Sequence, residues 1–561
     1  MSKQLSFEFL RRELIGNDVF YTTPYGRVLL TYADYTASGR ALKFIEKYLL
    51  HMLGHYANTH TEDDVTGRTM TGLLHQAEHL IKKAFNAEDN CYVIATGTGA
   101  TGAISKMQEI LGVYIPPATK KRLCPDLDSP KMEKPVIFVG PYEHHSNDIM
   151  WREAYGEVVH VQLDKNGQLD LEDLETKVSN PEYEGRFKIG AFSAASNITG
   201  LKTPVYEVAR ILHRHNALVC FDFAASAPYV KIDMNHDDET YFDAVFLSPH
   251  KFIGGPGSSG ILVFNAKHYD QELPPTFAAG GTVDFVSYSS YDFSQDVETR
   301  EKPGTPGILQ TIRAALAINL KDEVGIEKIE EREQYFIRKA FERFSQNPNI
   351  EVLGPHNPED RVAIFSLLIK QGDKYLHPKL GTRILNDVFG LQTRAGCSCA
   401  GPYGHLLLGI DEETSQRYRH AISQGFSGIK PGWMRVNFHY TFTEEDFQFI
   451  CDALEFIADK GYLFIPEYVF DPATGEWSHK DSNDTDVEME LNIPKILDLQ
   501  MEDPFAKDKV DRPTEYQKYL GRAEELAKEL EKRFDPKAFG QLSVQEVDEL
   551  RFFNFVNLKK A

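Results

Sequence analysis

Two stretches of this chain contain residues that could support amine chemistry: one supplies a lysine and the other a buried carboxylate. Ser248-Pro249-His250-Lys251 follows an apolar run and precedes the glycine-rich segment FIGGPGSSG. Burial at a strand end would favour the neutral amine of Lys251, which is the nucleophilic form. Asp222 ends the apolar run ALVCFD, where a buried carboxylate requires a cationic partner. The two residues predict amine chemistry beside a buried carboxylate, whereas a surface lysine before a glycine loop is the alternative interpretation.

The stretch TRAGCSCAGP, residues 393–402, places two of the chain's six cysteines one residue apart in a glycine-flanked loop. Cys397 and Cys399 could form a disulfide, although so small a ring is geometrically disfavoured. They could also form half of a metal site, with His405 nearby in sequence as a further ligand. A nucleophilic thiol and a structural pair of small residues in a turn are the other two interpretations. The residues alone leave all four open.

A glycine-rich turn follows the apolar run CYVIA. Residues 97–102, GTGATG, fit the G-x-G-x-x-G pattern that binds dinucleotides. That interpretation also requires a second strand ending in an acidic residue about 20 residues later. The sequence there is IPPATKKRLCPDLDSPKMEKP, which is typical of a loop. We therefore expect a phosphate-binding turn at a helix start and no nicotinamide dinucleotide.

The elements that must position these residues form an alternating pattern. Short β-rich runs alternate with longer helical stretches, which predicts parallel strands joined by helical crossovers. The fold class is therefore predicted as α/β, with a large domain over residues 36–315 that contains a mostly parallel sheet. The predicted strands of this domain include CYVIA (91–95), PVIFVG (135–140), ALVCFD (217–222) and AVFLS (244–248).

Three further segments complete the predicted organisation. An amino-terminal segment is predicted to pack near the active site, and a smaller α+β domain is predicted to follow the large one. The last segment is a carboxy-terminal extension, first loop and then a helix with Glu/Lys pairs. The amino-terminal segment is predicted over residues 1–35, the small domain over 316–465 and the extension over 466–561. The small domain has predicted strands at 362–369 and 433–438, and the extension has a predicted loop at 478–491 and a predicted helix at 513–534. One long helix over 312–341 is predicted to link the large and small domains.

Composition limits the classes of partner. The chain has 561 residues and a formal charge of −22 at pH 7, which disfavours a nucleic-acid partner. It has no apolar run of about 18 residues, so no membrane span is predicted. The amino terminus, MSKQLSFEFLRRELIG, lacks the apolar core of a secretory signal. We therefore expect a cytoplasmic protein with reduced thiols.

Eight motifs in order give the chain a family resemblance over residues 30–450. It resembles the class V aminotransferases of pyridoxal-phosphate fold type I, and within them the cysteine desulfurases. The Cys-x-Cys loop is also similar to that of the molybdenum-cofactor sulfurases. The matching motifs are YADYTASG (32–39), GATGAIS (99–105), YEHHSN (142–147), SNITG (196–200), FDFAAS (221–226), SPHK (248–251), GTP (304–306) and WMRVNFHYTFTEED (433–446).

The resemblance implies pyridoxal 5'-phosphate as cofactor, held by Lys251 as a Schiff base. Asp222 would bond the pyridine nitrogen and strengthen the electron sink. One departure from the family is Ala225, which stands where a glutamine is usual, so that a hydrogen bond to the cofactor is absent or comes from Ser226. The remaining implied cofactor contacts are Ala100, Thr101, Ser248 and His250 with the phosphate, His144 stacked on the ring, Asn197 on the phenolic oxygen, Ala224 on the other ring face, and Thr305 on the phosphate of the neighbouring subunit in a homodimer.

The implied reaction converts L-cysteine to L-alanine, with sulfur held as a persulfide on Cys399 and passed to a sulfur-acceptor protein. Cys399 is selected by register, five residues after Arg394 and directly before Ala400. Lys251, Cys399 and His144 are the implied catalytic residues, Arg435 clamps the substrate carboxylate, and no metal is predicted. Two alternatives remain: another reaction of this fold on an amino acid (a transaminase, lyase or epimerase), and a non-catalytic scaffold that keeps the cofactor fold.

Overall fold

The computed structural model describes residues 5–59, 61, 63–123, 133–481, 491–498, 503, 505 and 510–557. The chain divides into two compact units. The first contains Thr36–Glu331 and Asp360–Val362, and the second contains Ser6–Tyr35, Arg332–Glu359 and the residues from Ala363 onward. No helix within the described ranges is long and apolar enough to cross a membrane.

The strands are short and numerous in both units. In chain order they are β1 (Phe20–Thr23), β2 (Gly26–Leu29), β3 (Thr31–Tyr32), β4 (Cys91–Thr96), β5 (Val136–Val139), β6 (Glu157–His160), β7 (Lys188–Ser193), β8 (Ala217–Asp222), β9 (Ala244–Leu247), β10 (Gly260–Asn265), β11 (Val283–Val286), β12 (Tyr291–Phe293), β13 (Ile350–Val352), β14 (Ile364–Gln371), β15 (Lys374–Tyr375), β16 (Leu391–Gln392), β17 (Arg394–Gly396), β18 (Trp433–Asn437), β19 (Tyr468–Phe470) and β20 (Trp477–His479).

The helices range from single turns to more than five turns. In chain order they are α1 (Phe7–Glu13), α2 (Lys43–Leu53), α3 (Val65–Ala84), α4 (Gly99–Ile110), α5 (Pro117–Leu123), α6 (His145–Glu153), α7 (Leu171–Val178), α8 (Val205–Arg214), α9 (Val297–Arg300), α10 (Ile308–Val324), α11 (Ile326–Phe344), α12 (Pro378–Phe389), α13 (Gly401–Leu407), α14 (Glu412–Ser423), α15 (Glu444–Lys460), α16 (Ile493–Asp498), α17 (Arg512–Arg533) and α18 (Gln545–Asp548).

A seven-stranded sheet organises the first unit, in the order β4-β10-β9-β8-β7-β5-β6. The β10 strand is antiparallel to both of its neighbours, and the other pairs are parallel. Every residue of the central strands β7, β8 and β9 is buried. Parallel strands that are covered on both faces are rich in apolar residues, as most positions of these three strands are. The predicted α/β class with a mostly parallel sheet is confirmed.

The predicted single helix over 312–341 is wrong. The structure has two helices there, α10 and α11, with Gly325 between them at φ +97. Glycine adopts this backbone conformation without the steric cost that a Cβ would add. The Gly325 amide also donates to the Lys321 carbonyl, which closes the end of α10. Gly325, in the middle of the amphipathic stretch, therefore ends α10 and separates it from α11.

An antiparallel sheet organises the second unit, in the order β13-β14-β18-β17, and the short parallel pair β3–β16 lies outside it. Helix α17, near the carboxyl terminus, is hydrogen-bonded to residues near the amino terminus. The Arg512 guanidinium donates to Thr31 Oγ1 at 3.1 Å, and the Leu29 amide donates to the Tyr519 hydroxyl at 2.8 Å. The predicted helix at 513–534 is thus present. The predicted loop at 478–491 falls mainly on residues 482–490, which lie outside the described ranges.

Asp446 joins three elements of the second unit. Its carboxylate, buried within the N-terminal turn of α15, accepts from Arg11 of α1 and from Arg512 and Tyr516 of α17. It also forms a capping box with Thr443 at the start of α15. One carboxylate therefore ties the amino-terminal helix to the last long helix.

Candidate active site

A cavity of about 210 Å³ opens within the first unit at the carboxyl edge of its parallel strands. Ligands of open α/β sheets bind at this edge, because the loops that follow several strands converge there. All predicted cofactor-binding residues except Thr305 line the cavity. The lining residues are Thr98, Ala100, Thr101, His144, Ser146, Ser193, Ala195, Asn197, Asp222, Ala224, Ala225, Ser248, His250 and Lys251.

One end of the cavity has the donors of an anion site. The α4 helix begins there, and its N-cap residue Thr98 makes no side-chain capping bond. The Ala100 amide donates to Ser248 Oγ at 3.0 Å, and the Thr101 and Ser146 hydroxyls are 2.8 Å apart. A Cβ on Gly99 would lie 2.9 Å from Ser248 Oγ, so glycine permits this close approach. Backbone amides, hydroxyls and the helix dipole together favour a phosphate.

Lys251 ends a short 3₁₀ helix, Pro249–Lys251, directly after β9. The neighbouring backbone holds this turn tightly: the Gly39 amide donates to the His250 carbonyl at 2.8 Å. A Cβ on Gly39 would lie 2.0 Å from the Phe252 carbonyl oxygen, so only glycine fits there. Burial, and then the charge of Lys251, lower the pKa of His250 to about 4. His250 is therefore neutral at neutral pH.

Asp222 is fully buried at the end of β8. Burial raises the pKa of its carboxyl, while the Ala224 amide, which donates to Oδ1 at 2.8 Å, and the charge of Lys251 act in the opposite direction. Lys251 is thus close enough to interact electrostatically with Asp222. A second cation in the cavity would stabilise the ionised carboxylate further.

A buried glutamate, Glu143, lies directly before His144 and was not predicted as a site residue. It accepts from the Ser193 amide at 2.9 Å, the Ser193 hydroxyl at 2.6 Å and Asn147 Nδ2 at 2.7 Å. Burial raises the pKa of Glu143 to about 7, against the lowering effect of these hydrogen bonds. His144 is the N-cap of α6, and its Nδ1 accepts from the Ser146 amide at 3.1 Å. The network fixes the backbone on either side of His144.

Other lining residues were missed because their signals are weak. Thr98 lies inside the predicted glycine-rich turn and Ser146 inside the quoted YEHHSN, so both could have been found by proximity to a motif. Ser193 is the last residue of β7 and Ala195 follows the strand, and neither belongs to a motif before SNITG. Their position at the end of a buried strand was the available signal.

Ala225 lines the cavity, whereas Ser226 does not. The Ser226 side chain is buried, and its hydroxyl has no hydrogen-bond partner among the described residues. Thr305 lies outside the cavity lining, on an exposed loop, and its hydroxyl accepts from Asn58 Nδ2 at 3.3 Å.

Arg435, the predicted carboxylate clamp, belongs to the second unit. It lies on β18 with a buried side chain, and its Nη2 is 2.9 Å from Asp34 Oδ1. The Nε atom of Arg394 on β17 is 2.8 Å from Asp34 Oδ2. Asp34 therefore binds two arginines at once.

The cysteine loop also belongs to the second unit, and both of its thiols are free. Cys397 is half-buried and Cys399 is exposed. The Ala400 amide donates to the Cys397 carbonyl at 3.2 Å, while Ser398 and Cys399 have φ values of +50 and +56. These are the signs of a type I′ turn, which normally contains asparagine and glycine. Burial lowers the pKa of Arg394, but its hydrogen bond to Asp34 and the negative charge of Asp34 outweigh burial and raise it overall, with smaller contributions from Tyr32 and Cys399.

Comparisons with known proteins identify the family of this chain. Residues 31–449 match the profile of the family "Aminotransferase class-V". A "probable cysteine desulfurase" of Halalkalibacterium halodurans is 32% identical over 286 residues, which are 50% of this chain and 65% of that relative, just under two thirds of its length. Another from Staphylococcus aureus strain Mu50 is 28% identical over 386 residues, 66% of this chain and 84% of that protein.

Solved structures agree on the fold. The apo structure of a cysteine desulfurase from Thermococcus onnurineus NA1 aligns with a TM-score of 0.62 at 21% identity, over 82% of this chain and all of that one. A NifS-like protein from Rickettsia africae aligns with a TM-score of 0.56 at 17% identity, over 77% of this chain and 99% of that one.

Proposed function

Because the chain belongs to the aminotransferase class-V family and is an enzyme of that family, we propose that it is a pyridoxal-phosphate-dependent cysteine desulfurase. It converts L-cysteine to L-alanine and takes up the sulfur on Cys399. The observation that carries the proposal is that Lys251, Asp222 and an anion-binding turn line the same cavity. The names of the similar proteins support the desulfurase reaction in particular.

The residues of the cavity fit pyridoxal phosphate. The start of α4, with Ala100, Thr101 and Ser248, offers donors for the phosphate, and the buried Asp222 carboxylate needs the cation that a protonated pyridine nitrogen provides. Lys251 supplies the amine that holds the cofactor. When bound, the cofactor withdraws electrons from the α-carbon of the substrate. His144 and Ala224 are proposed to contact the two faces of its ring, and Asn197 and His250 to bond its polar groups.

Four side chains of the protein have separate proposed roles in the reaction. Arg435 binds the substrate carboxylate, and its buried guanidinium supports this role. Lys251 removes the proton from the α-carbon and later returns a proton to the product. The pKa of His250, lowered by burial, keeps that side chain neutral beside Lys251. Asp222 would bond the protonated ring nitrogen, whose positive charge would favour the ionised carboxylate.

Cys399 accepts the sulfur as a thiolate. Its Sγ attacks the substrate sulfur, so that a sulfur–sulfur bond forms while the bond from Cβ to sulfur breaks. The electron pair of the broken bond stays on the substrate and takes up a proton, which yields the methyl group of alanine. Sulfur leaves as a persulfide on Cys399, and no outside oxidant is needed. The exposure of Cys399 and the positive charge of Arg394 nearby support this role.

A homodimer in the cytosol is the proposed working form. Exposed apolar side chains cluster on the β11–β12 hairpin, and such patches commonly mark interfaces. Two-fold dimers are the commonest soluble assembly. Thr305 is proposed to complete the phosphate site of the other subunit. All five cysteines in the described part of the chain are free, which suits a reducing compartment. The exposed apolar side chains on the β11–β12 hairpin that support the dimer are Phe285, Val286, Tyr288 and Tyr291.

The test compares Cys399→Ser with Cys397→Ser in the cofactor-loaded protein given L-cysteine. Wild type and Cys397→Ser should release alanine and carry a persulfide, which alkylation and mass spectrometry place on Cys399. Cys399→Ser should bind cysteine without forming alanine or a persulfide. A persulfide on Cys397 alone would transfer the role to that residue. Wild type that releases no alanine would favour another reaction of the family on an amino acid.

A second measurement tests the lysine. Borohydride should attach the cofactor covalently to wild type, and Lys251→Ala should lose this attachment. Peptide mapping of the reduced protein identifies the modified residue. Equal covalent attachment in Lys251→Ala would contradict the assignment.

A further inference from the structure

A row of four hydrogen-bonded side chains leads from α6 to the wall of the cavity. The Trp151 indole donates to Asn147 Oδ1 at 2.9 Å, and Asn147 Nδ2 donates to Glu143 Oε2 at 2.7 Å. The same oxygen of Glu143 is 2.6 Å from the Ser193 hydroxyl, and Ser193 lines the cavity. All four side chains are buried. Because the row is shielded from water, its donors and acceptors must find their partners within the protein.

Three hydrogen bonds in and around this row have a fixed direction. An indole nitrogen can only donate, so Asn147 presents its oxygen to Trp151 and its NH₂ group to Glu143. The Ser193 backbone amide, which also can only donate, is bonded to Glu143 Oε1 at 2.9 Å. Each carboxyl oxygen thus accepts from a group that cannot accept in return. The bond between Oε2 and the Ser193 hydroxyl differs, because a hydroxyl can either donate or accept.

The bond between Glu143 and the Ser193 hydroxyl can therefore be made in two ways. When the carboxyl is ionised, the hydroxyl donates its hydrogen to Oε2. When a proton from solvent binds Oε2, that proton is donated to Ser193 Oγ, and the hydroxyl hydrogen rotates about the Cβ–Oγ bond to another acceptor. The O–H bond of Ser193 stays intact throughout. Since Ser193 lines the cavity, the hydrogen released from Glu143 becomes available to a ligand there.

Glu143 changes between these two states near neutral pH. Burial raises its pKa to about 7, against the lowering effect of its bonds to Ser193 and Asn147. The charge of Asp222 on β8 also raises the pKa of Glu143, and Lys251 acts on Asp222 in turn. Asp222 is the cross-strand partner of Ser193, and both residues line the cavity. A ligand held beside Asp222 therefore meets the wall that Ser193 forms.

The other titratable and charged groups around Glu143 lie on its own segment and on α6. His144 and His145 follow it in the chain, and the His144 Nδ1 atom accepts from a backbone amide at 3.1 Å. On α6, Asp148 is ion-paired with Arg152 at 2.7 Å. The β5 strand, which precedes Glu143, consists of apolar residues. Ser193 and Asp222 therefore connect the proton on Glu143 to the cavity.

We propose that Ser193 is a hydrogen-bond donor to the ligand of this cavity, and that the proton on Glu143 controls this donation. With Glu143 protonated, the Ser193 hydrogen turns to the ligand. With Glu143 ionised, the hydrogen returns to Oε2 and the ligand loses a hydrogen bond. The contribution of Ser193 to ligand binding therefore falls as pH rises through the titration of Glu143. The choice of pyridoxal phosphate as that ligand rests on the proposed function.

The test is a double-mutant cycle on the dissociation constant of pyridoxal 5'-phosphate, read from the absorbance of the bound cofactor at pH 6 and pH 8. In the wild-type background, Ser193→Ala should weaken binding about fivefold at pH 6, the equivalent of one hydrogen bond, and by a much smaller factor at pH 8. Glu143→Gln places an NH₂ group toward Ser193 and so mimics the protonated acid. In that background, Ser193→Ala should weaken binding about fivefold at both pH values.

The cycle removes the effects of the other groups that titrate. Lys251 and Asp222 are unchanged in all four proteins, so their own response to pH cancels from each ratio. Ser193→Thr keeps the hydroxyl and should retain the wild-type affinity at both pH values. If Ser193 only supported the fold, Ser193→Ala would weaken binding by the same factor at pH 6 and pH 8, and this result would overturn the proposal. The comparison in the wild-type background stands even if Glu143→Gln fails to fold.

Infrared spectroscopy of the cofactor-free protein follows the proton itself. The carbonyl stretch of a protonated carboxyl should disappear from wild type with a midpoint near pH 7, and Glu143→Gln should lack this change. In Ser193→Ala the midpoint should lie higher, since the ionised carboxylate has lost a donor. Identical titrations of wild type and Glu143→Gln would overturn the proposal. A protein that binds no pyridoxal phosphate refutes the proposed function instead, and an unshifted midpoint in Ser193→Ala would then decide against proton control of Ser193.

Discussion

Glu143→Gln should make the stability of this protein less dependent on pH. The ordinary pKa of a glutamate is 4.5, and burial raises the pKa of Glu143 to about 7. Between these values the carboxyl is protonated in the folded chain and ionised in the unfolded one. Unfolding therefore releases a proton, and the free energy of unfolding falls as pH rises through this window. A tenfold change in proton affinity is worth about 1.4 kcal/mol, so the loss by pH 8 amounts to about 3 kcal/mol.

Glutamine has nearly the same shape and no charge at either end of this range. Its amide NH₂ must stand where a carboxylate oxygen accepted from Asn147 or Ser193, which costs about 1 kcal/mol at low pH. Glu143→Gln should therefore be slightly less stable than wild type at pH 5 and more stable at pH 8. The difference between the two proteins should change by about 2.5 kcal/mol over that range.

The assay is urea unfolding of the cofactor-free protein at several pH values, with equal m-values as a check that both proteins unfold alike. Glu182→Gln, which alters an exposed glutamate of the same unit, is the matched control and should leave the pH profile unchanged. A constant difference between wild type and Glu143→Gln from pH 5 to pH 8 would refute the reasoning, since it would mean that Glu143 does not titrate in this range.

Two other substitutions have clear expected outcomes. Asp446→Ala should lower the free energy of unfolding by about 3–5 kcal/mol in a denaturant titration, because it leaves the buried Arg512 and the half-buried Arg11 without their carboxylate; a loss below about 1 kcal/mol would contradict this. Burial alone would raise the pKa of Asp446, but Arg512 and Arg11 lower it, so this stability is present at neutral pH and disappears as pH falls below 3.8. Asp222→Ala should reduce turnover by several orders of magnitude while circular dichroism stays unchanged; near-normal turnover would rule out its role.

Individual strands and the turns that follow them could be predicted from short stretches of the sequence. The β8 strand and the Lys251 turn were found because a strand buried on both faces is uniformly apolar and the residues after it face the sheet edge. The break at Gly325 could not be predicted, since a single glycine is compatible with both a continuous and an ended helix.

The contacts that complete the candidate sites are not local. The hydroxyl that binds Glu143 comes from 50 residues away, and the arginine that Asp34 binds on β18 comes from 401 residues away. A single sequence contains no pattern that pairs such residues. Their identities could be read from the motifs, but their partners could only come from the folded chain.

The hydrogen bond between Leu29 and Tyr519 has a consequence for how the protein is made. The two residues are 490 positions apart, and ribosomes add about 5–20 residues per second, so about 25–100 s separate the synthesis of one from that of the other. During this time the ribosome completes the whole first unit. Leu29 is fully buried in the finished protein. Until α17 is synthesised, the nascent chain lacks the helix that hydrogen-bonds to the Leu29 backbone. The amino-terminal strands are therefore where we expect chaperones to bind during translation, and where a stalled ribosome would leave the chain most prone to aggregate.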